Sequence, residues 1–145
     1  MTLLEHLKSG IETSSAADTI QLAKELVSTF PEQSVITLEG DLGAGKTTFI
    51  KGIAIGIGIR DVVTSPTFNI FNTYRGRKNL LHIDAYRLEE SPEIIDELML
   101  EDFMTPPYCL AIEWPGNLGQ IPWTVTLSLH LSILPTGKHC IRTVC

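Results

Sequence analysis

No stretch of this chain approaches the ~20 consecutive apolar residues that a membrane-spanning helix requires, so no bilayer-crossing helix is expected. Cations are scarce. Eleven Lys and Arg stand against 17 Asp and Glu, a formal net charge of −6. They are also dispersed, the nearest approach to a cluster being Arg75, Arg77 and Lys78, which reads as a solvated turn between strands. Gripping a nucleic-acid backbone takes clustered Lys and Arg, so unaided binding to DNA or RNA is not expected. Cysteine is sparse too. Cys109, Cys140 and Cys145 are odd in number, match no zinc spacing and follow no secretory signal, which argues against a disulfide framework. Cys109 lies in an apolar run and is expected to be a reduced core thiol. These absences point to a cytoplasmic protein. Nor is there a repeat, a low-complexity tract or a linker, and 145 residues fit one domain, 1–145. With 43% apolar and 19% charged residues the composition is that of a folded protein, not a disordered one.

The pattern along the chain alternates helix and strand before turning to hairpins. Ser14 and Ser15 can cap a helix over 16–30, whose Ile20, Ala23, Leu26, Val27 and Phe30 form an apolar stripe that Pro31 ends. Residues 34–39 (SVITLE) are β-branched and apolar and predict a buried strand. A glycine-rich loop, 40–45, opens a helix over 46–55, with Gly56 and Gly58 ending it. Residues 67–74 and 80–85 predict a hairpin across the turn 75–79. Ser91, Pro92 and Glu93 carry the signature of a helix start, and that helix is expected to run toward Phe103, before Pro106 and Pro107. Residues 108–112 (YCLAI) predict a strand ending at Glu113. Two more, 125–133 and 138–144, flank a turn at 135–137. The expected architecture is a three-layer α/β domain of the P-loop NTPase-like kind, with a mixed, partly antiparallel sheet.

The chemistry is concentrated in Gly40, Asp41, Leu42, Gly43, Ala44, Gly45, Lys46 and Thr47, a full match to G-x-x-x-x-G-K-[ST], continued by Thr48. Glycines open backbone conformations closed to other residues and let N–H groups approach phosphate oxygens. The helix that follows points its positive end at the same charge. Lys46 is expected to reach the β- and γ-phosphates, and the Thr47 hydroxyl to ligate Mg²⁺. The loop follows an apolar strand and opens a helix, the context that gives the motif its meaning. ATP and Mg²⁺ are the expected ligands.

Such a loop also needs an acid for the metal and a group to position attacking water. Glu113 ends an apolar strand, where ligands collect in open α/β sheets. Strand alternation sets His82, Asp84 and Tyr86 on one face and Ile83 and Ala85 on the other. Asp84 can order water or metal, or simply belong to a polar strand face. His82 reads as structural. The segment Ser65, Pro66, Thr67, Phe68 reads either as a γ-phosphate sensor or as a plain loop-to-strand turn. Trp114 is either a partner anchor or a residue packed on the sheet.

Taken together, GDLGAGKTT (40–48), SPTF (65–68), HIDAYRL (82–88) and EWP (113–115) resemble, in order and spacing, the TsaE family, formerly YjeE. The likeness covers nearly the whole chain. It implies a bacterial P-loop ATPase required for threonylcarbamoylation of adenosine 37 in tRNAs that read ANN codons. It implies the partner proteins TsaB and TsaD, with TsaD the transferase and tRNA reached only through them; a separate enzyme makes the threonylcarbamoyl-adenylate donor. It further implies that Thr47 and Glu113 serve Mg²⁺, that Asp84 and Lys46 are needed for hydrolysis, that Trp114 contributes to the nucleotide site, and that Thr67 is a switch residue. The helix start near Ser14 is expected beside the adenine; the family often has an acid where this chain has Ala16 and Ala17.

Rival functions leave different marks. A regulatory GTPase needs an N-K-x-D motif, and the late Asn117 is followed by Leu118 and Gly119. A small-molecule kinase usually carries an arginine-rich lid, for which residues 75–78 are a poor match. A binding module driven by nucleotide occupancy is compatible with the same loop.

Overall fold

The strand expected at 34–39 forms and becomes the centre of a sheet. The computed structural model describes residues 2–64, 66, 71–86 and 99–144. β2 (Gln33–Gly40) buries five residues in succession, 34–38, as a strand covered on both faces must. It runs parallel to β5 (Tyr108–Glu113) on one side and to β6 (Leu127–Ile133) on the other. β4 (Asn79–Asp84) extends the parallel core beyond β5. The margins are antiparallel: β3 (Phe71–Tyr74) against β4, β7 (His139–Thr143) against β6, and β1 (Ile11–Thr13) against β7. Among the described residues the order is β1-β7-β6-β2-β5-β4-β3. This is the mixed α/β sheet the sequence predicts.

Strand alternation divides the core into two layers. On one face α2 (Ala16–Val27) and α3 (Lys46–Gly56) set Leu22, Leu26, Phe49 and Ile53 against Ile36, Leu38, Ala111 and Leu129. On the other, Val35, Leu81, Ile83 and Leu110 pack beneath Leu100 and Leu118, which sit in 3₁₀ turns at Leu100–Phe103 and Pro115–Leu118. Cys109 is fully buried as expected, and burial pushes its thiol up to about 11.

Several local expectations need correcting. α2 ends at Val27, not at 30: Thr29 and Phe30 bond three residues back, to Leu26 and Val27, and the Ser28 and Thr29 hydroxyls cap the Glu25 and Leu26 carbonyls. Side-chain bonds of this kind compete with another helical turn. α3 ends at Gly56, as expected. Only Gly58 takes the left-handed conformation past its end, with φ 79°. Gly52 and Gly56 also serve packing. A Cβ on Gly52 would lie 2.6 Å from Ala23 Cβ, and one on Gly56 2.5 Å from Val27 Cγ1, so the missing side chains let α3 approach α2 closely. Arg77 and Lys78 are not a merely solvated turn. Arg77 donates to the Gly56 carbonyl and Lys78 Nζ to those of Phe30 and Pro31, at 3.2 and 2.8 Å. Cations here satisfy carbonyls near helix ends. The helix expected to start at 91–93 lies outside the described residues over 91–98, and of its continuation toward Phe103 the described part is a 3₁₀ turn, Leu100–Phe103. Two elements were not anticipated, α1 (Leu3–Ser9), capped by Thr2, and the short β1.

Candidate functional site

The site grows from the C-terminal ends of β2, β4 and β5, where the parallel strands deliver their last side chains to one edge. β2 passes into the loop at Gly40, whose φ is 137° and where a Cβ would sit 1.8 Å from the Leu131 carbonyl oxygen. Only glycine fits there. The loop ends at Gly45, left-handed with φ 99°, which starts α3 without any side-chain cap. A glycine cap offers no side-chain acceptor to the first N–H groups of α3, and with the helix dipole these groups favour an anion.

Lys46 is only 5% exposed. Its Nζ donates to the carbonyls of Gly40 (2.8 Å) and Asp41 (2.7 Å) and lies 4.4 Å from the centre of the Trp114 ring. A cation over an indole face gains roughly 0.5–2 kcal/mol, more as water is excluded. Burial lowers the ammonium from its ordinary pKa, while the charges of Glu113, Asp41 and Asp84 oppose that shift. The lysine is thus held by the loop it is expected to serve.

The register of β4 and β5 pairs Asp84 with Glu113 and His82 with Ala111. Alternation then turns His82, Asp84 and Glu113 to the face on which α3 lies, as the sequence predicts for the first two. Glu113 is 3% exposed and His82 fully buried. His82 Nε2 stands 2.6 Å from Glu113 Oε2, and Thr47 Oγ1 is 3.4 Å from both Glu113 oxygens. Asp84 Oδ1 accepts from the Tyr86 N–H at 3.1 Å. Its carboxyl is raised above the usual range, first by burial and then by the Glu113 charge; the Tyr86 amide, His82 and Lys46 work the other way.

Trp114 follows Glu113 in the left-handed region, at φ 58° and ψ 54°, uncommon for so bulky a residue. Its N–H bonds to the Leu38 carbonyl, and its ring meets Tyr86 with centroids 5.0 Å apart. It is not fully buried. Half-buried, it packs on the second layer and faces Lys46. Strain of this kind gathers at functional sites.

Leu42, Gly43, Gly45, Lys46, Thr47, Thr48, Asp84, Tyr86, Glu113 and Trp114 together line an open cleft of about 280 Å³. Among the described residues no group of three His, Cys, Asp or Glu could hold a metal by itself. The donors present, one hydroxyl and one or two carboxylates, suit Mg²⁺, which usually takes one or two protein oxygens and completes its shell with phosphate and water. A smaller cavity of about 120 Å³ lies on the other side of Gly45, between Ser14, Ser15, Ala16, Thr19, Thr48, Gly137 and His139. This is where the helix start at Ser14 was expected to meet the base. His139 was missed, because only the pairing of Thr13 with His139 across β1 and β7 brings it there. Tyr86 was set on the right face without a role. Thr67, Ser65 and Phe68 lie outside the described residues. No helix among the described residues is long and apolar enough to cross a membrane.

Comparison with known proteins agrees with this arrangement. The family model described as Threonylcarbamoyl adenosine biosynthesis protein TsaE matches residues 13–140. The protein named tRNA threonylcarbamoyladenosine biosynthesis protein TsaE from Aquifex aeolicus is 42% identical over 144 residues, 96% of this chain and 97% of its own. Its namesake from Treponema pallidum is 40% identical over 119 residues, 81% and 87% of the two chains. A crystal structure of YdiB from Bacillus subtilis superposes with a TM-score of 0.74 at 33% identity, covering 92% of this chain and 82% of that one. The loop, the acids behind it and the sheet that joins them thus occur in a chain that belongs to the TsaE family.

Proposed function

We propose that this protein binds ATP with Mg²⁺, hydrolyses it, and supports threonylcarbamoylation of adenosine 37 in tRNAs reading ANN codons. The names of the relatives support the pathway, since each is called a tRNA threonylcarbamoyladenosine biosynthesis protein. The observation that supports the chemistry most is the convergence of Lys46, Thr47 and Glu113 on the start of α3. In this reading the N–H groups of residues 41–48 cradle the phosphates, and Lys46 leaves the Gly40 and Asp41 carbonyls to meet the β- and γ-oxygens. Thr47 and Glu113 hold the metal, which when bound supplies neutralising charge between the phosphates. Asp84 orients the attacking water, Trp114 closes the cleft beside the phosphates, and Thr67 senses the γ-phosphate. The cavity lined by Ser15, Thr19 and His139 receives the base.

TsaD and TsaB are the proposed partners, in the cytoplasm, and tRNA is reached through them. The cleft mouth carries exposed apolar side chains, Leu42 at 62% and Tyr86 at 45%. Such a rim also favours the second reading, a module whose nucleotide occupancy gates association. ATP favours association only if it binds the partner-competent state more tightly. ADP formation measured alone and with TsaB and TsaD tests both readings. Slow turnover alone, raised at least tenfold by the partners, is expected where a partner completes the charge stabilisation. No turnover in either case rejects the ATPase, and ATP-dependent association without turnover leaves the binding module.

A further inference from the structure

Glu113 presents a physical problem that its neighbours solve in an unequal way. A carboxylate only 3% exposed must be paired or hydrogen-bonded to remain charged. Thr47 Oγ1 lies 3.4 Å from each oxygen, at the outer limit of a bond, whereas His82 Nε2 lies 2.6 Å from Oε2. The histidine is therefore the tight anchor. Lys46, whose ammonium feels the Glu113 charge, does not take that place: among the described residues the only ion-pair-distance contact is His82 with Glu113. Lys46 is instead bonded to two loop carbonyls.

The ring of His82 is oriented by the same geometry. Among the described residues its Nδ1 is buried and has no hydrogen-bond partner. A neutral ring carrying its proton on Nε2 leaves a lone pair at that position and donates to the carboxylate. The other tautomer buries an N–H without an acceptor and sets a lone pair against a carboxylate oxygen. The arrangement that satisfies more groups is Nε2–H donating to Oε2.

We propose that His82 is a positioning residue for Glu113, holding Oε2 so that the carboxylate stays directed at the Thr47 hydroxyl and does not collapse onto Lys46. The lysine is thereby kept for phosphate and the carboxylate for the metal. This rests on the reading of Thr47 and Glu113 as the metal-holding pair. It gives the histidine of the His82-Ile83-Asp84 run a task beyond filling the core. Groups that hold a metal-binding carboxylate typically matter about 10- to 100-fold in metal affinity.

The test is Mn²⁺ binding to the ADP complex of the full chain, followed by electron paramagnetic resonance, with ADP affinity measured separately in chelator. His82→Leu removes the donor, and His82→Gln returns an N–H at similar reach. The expected result is Mn²⁺ affinity about 10- to 100-fold weaker in His82→Leu and largely restored in His82→Gln. Metal-free ADP affinity should stay within about threefold in both. If His82→Leu does not fold, His82→Asn, whose amide is too short to reach, takes its place with the same expectation. A folded His82→Leu with wild-type Mn²⁺ affinity overturns the proposal. So do equal losses in the leucine and glutamine variants, which indicate a core role alone. If the wild-type protein binds ADP but no Mn²⁺, the metal reading itself fails and the positioning role falls with it.

Discussion

At Asp84 the proposed function is set against stability at the level of one side chain. Burial and the neighbouring Glu113 charge raise its pKa in the fold, over the opposing Tyr86 amide, His82 and Lys46. A folded-state pKa above the unfolded one means that the fold favours the protonated form. The stability from that preference is full below the ordinary carboxylate value and is lost as pH rises through the folded-state value. At neutral pH the ionised Asp84 therefore costs stability. Asparagine keeps an acceptor for the Tyr86 amide, 3.1 Å away in the wild type, without the charge. Asp84→Asn should melt above wild type at about pH 7, and its advantage should shrink toward about pH 3.5, where the aspartate is largely protonated. ATP turnover by the same variant should fall about 100-fold or more, the scale expected when a group that handles a proton or water is lost. Thermal melts across that pH range decide the first point, and an advantage that does not change with pH would contradict it.

Among the elements, α3 carries the most because it opens at the phosphate loop and packs along α2. Gly52 makes the packing possible, since a Cβ there would meet Ala23 Cβ at 2.6 Å and the Ile20 carbonyl oxygen at 2.7 Å. Alanine is the better helix former by about 1 kcal/mol, yet Gly52→Ala should destabilise by about 1–3 kcal/mol, because overpacking against backbone outweighs propensity. Denaturant unfolding with an unchanged slope is the check, and a more stable variant would mean that the helices can separate freely. Sequence reading did well where the signal is local. The loop, its strand and its helix are contiguous, and the period of two set His82 and Asp84 together on one face. It did less well where distant chain decides. Gly56 ends α3 as its residue type suggests, but its close packing against Val27 has no local signal. β1 is three residues long and means nothing until β7 pairs with it, so His139 beside Gly45 had no signal. The roles of Arg77 and Lys78 likewise depend on carbonyls 21 and 47–48 residues away.

At the scale of the molecule, the acidic balance and the open cleft point the same way. With a net charge of −6 and dispersed cations, the protein lacks the basic stripe that draws a nucleic acid by counterion release. It should fail to shift tRNA in gel electrophoresis at low micromolar protein and about 0.15 M salt, where non-specific constants of roughly 10⁻⁴–10⁻⁶ M mark proteins that do bind the backbone. A salt-sensitive complex with tRNA alone would contradict the partner-mediated reading. Everything else depends on the phosphate loop, and Lys46 is the side chain through which to test it. Its Nζ touches loop carbonyls and the Trp114 face and anchors no core residue. Titration calorimetry of Mg·ATP into wild type and Lys46→Ala, with the fold of both confirmed by circular dichroism, is the most direct measurement. The account predicts saturable one-site binding by the wild type and a loss of about 100-fold, or about 2.7 kcal/mol, in the variant. A folded Lys46→Ala that binds ATP as tightly as the wild type would contradict it.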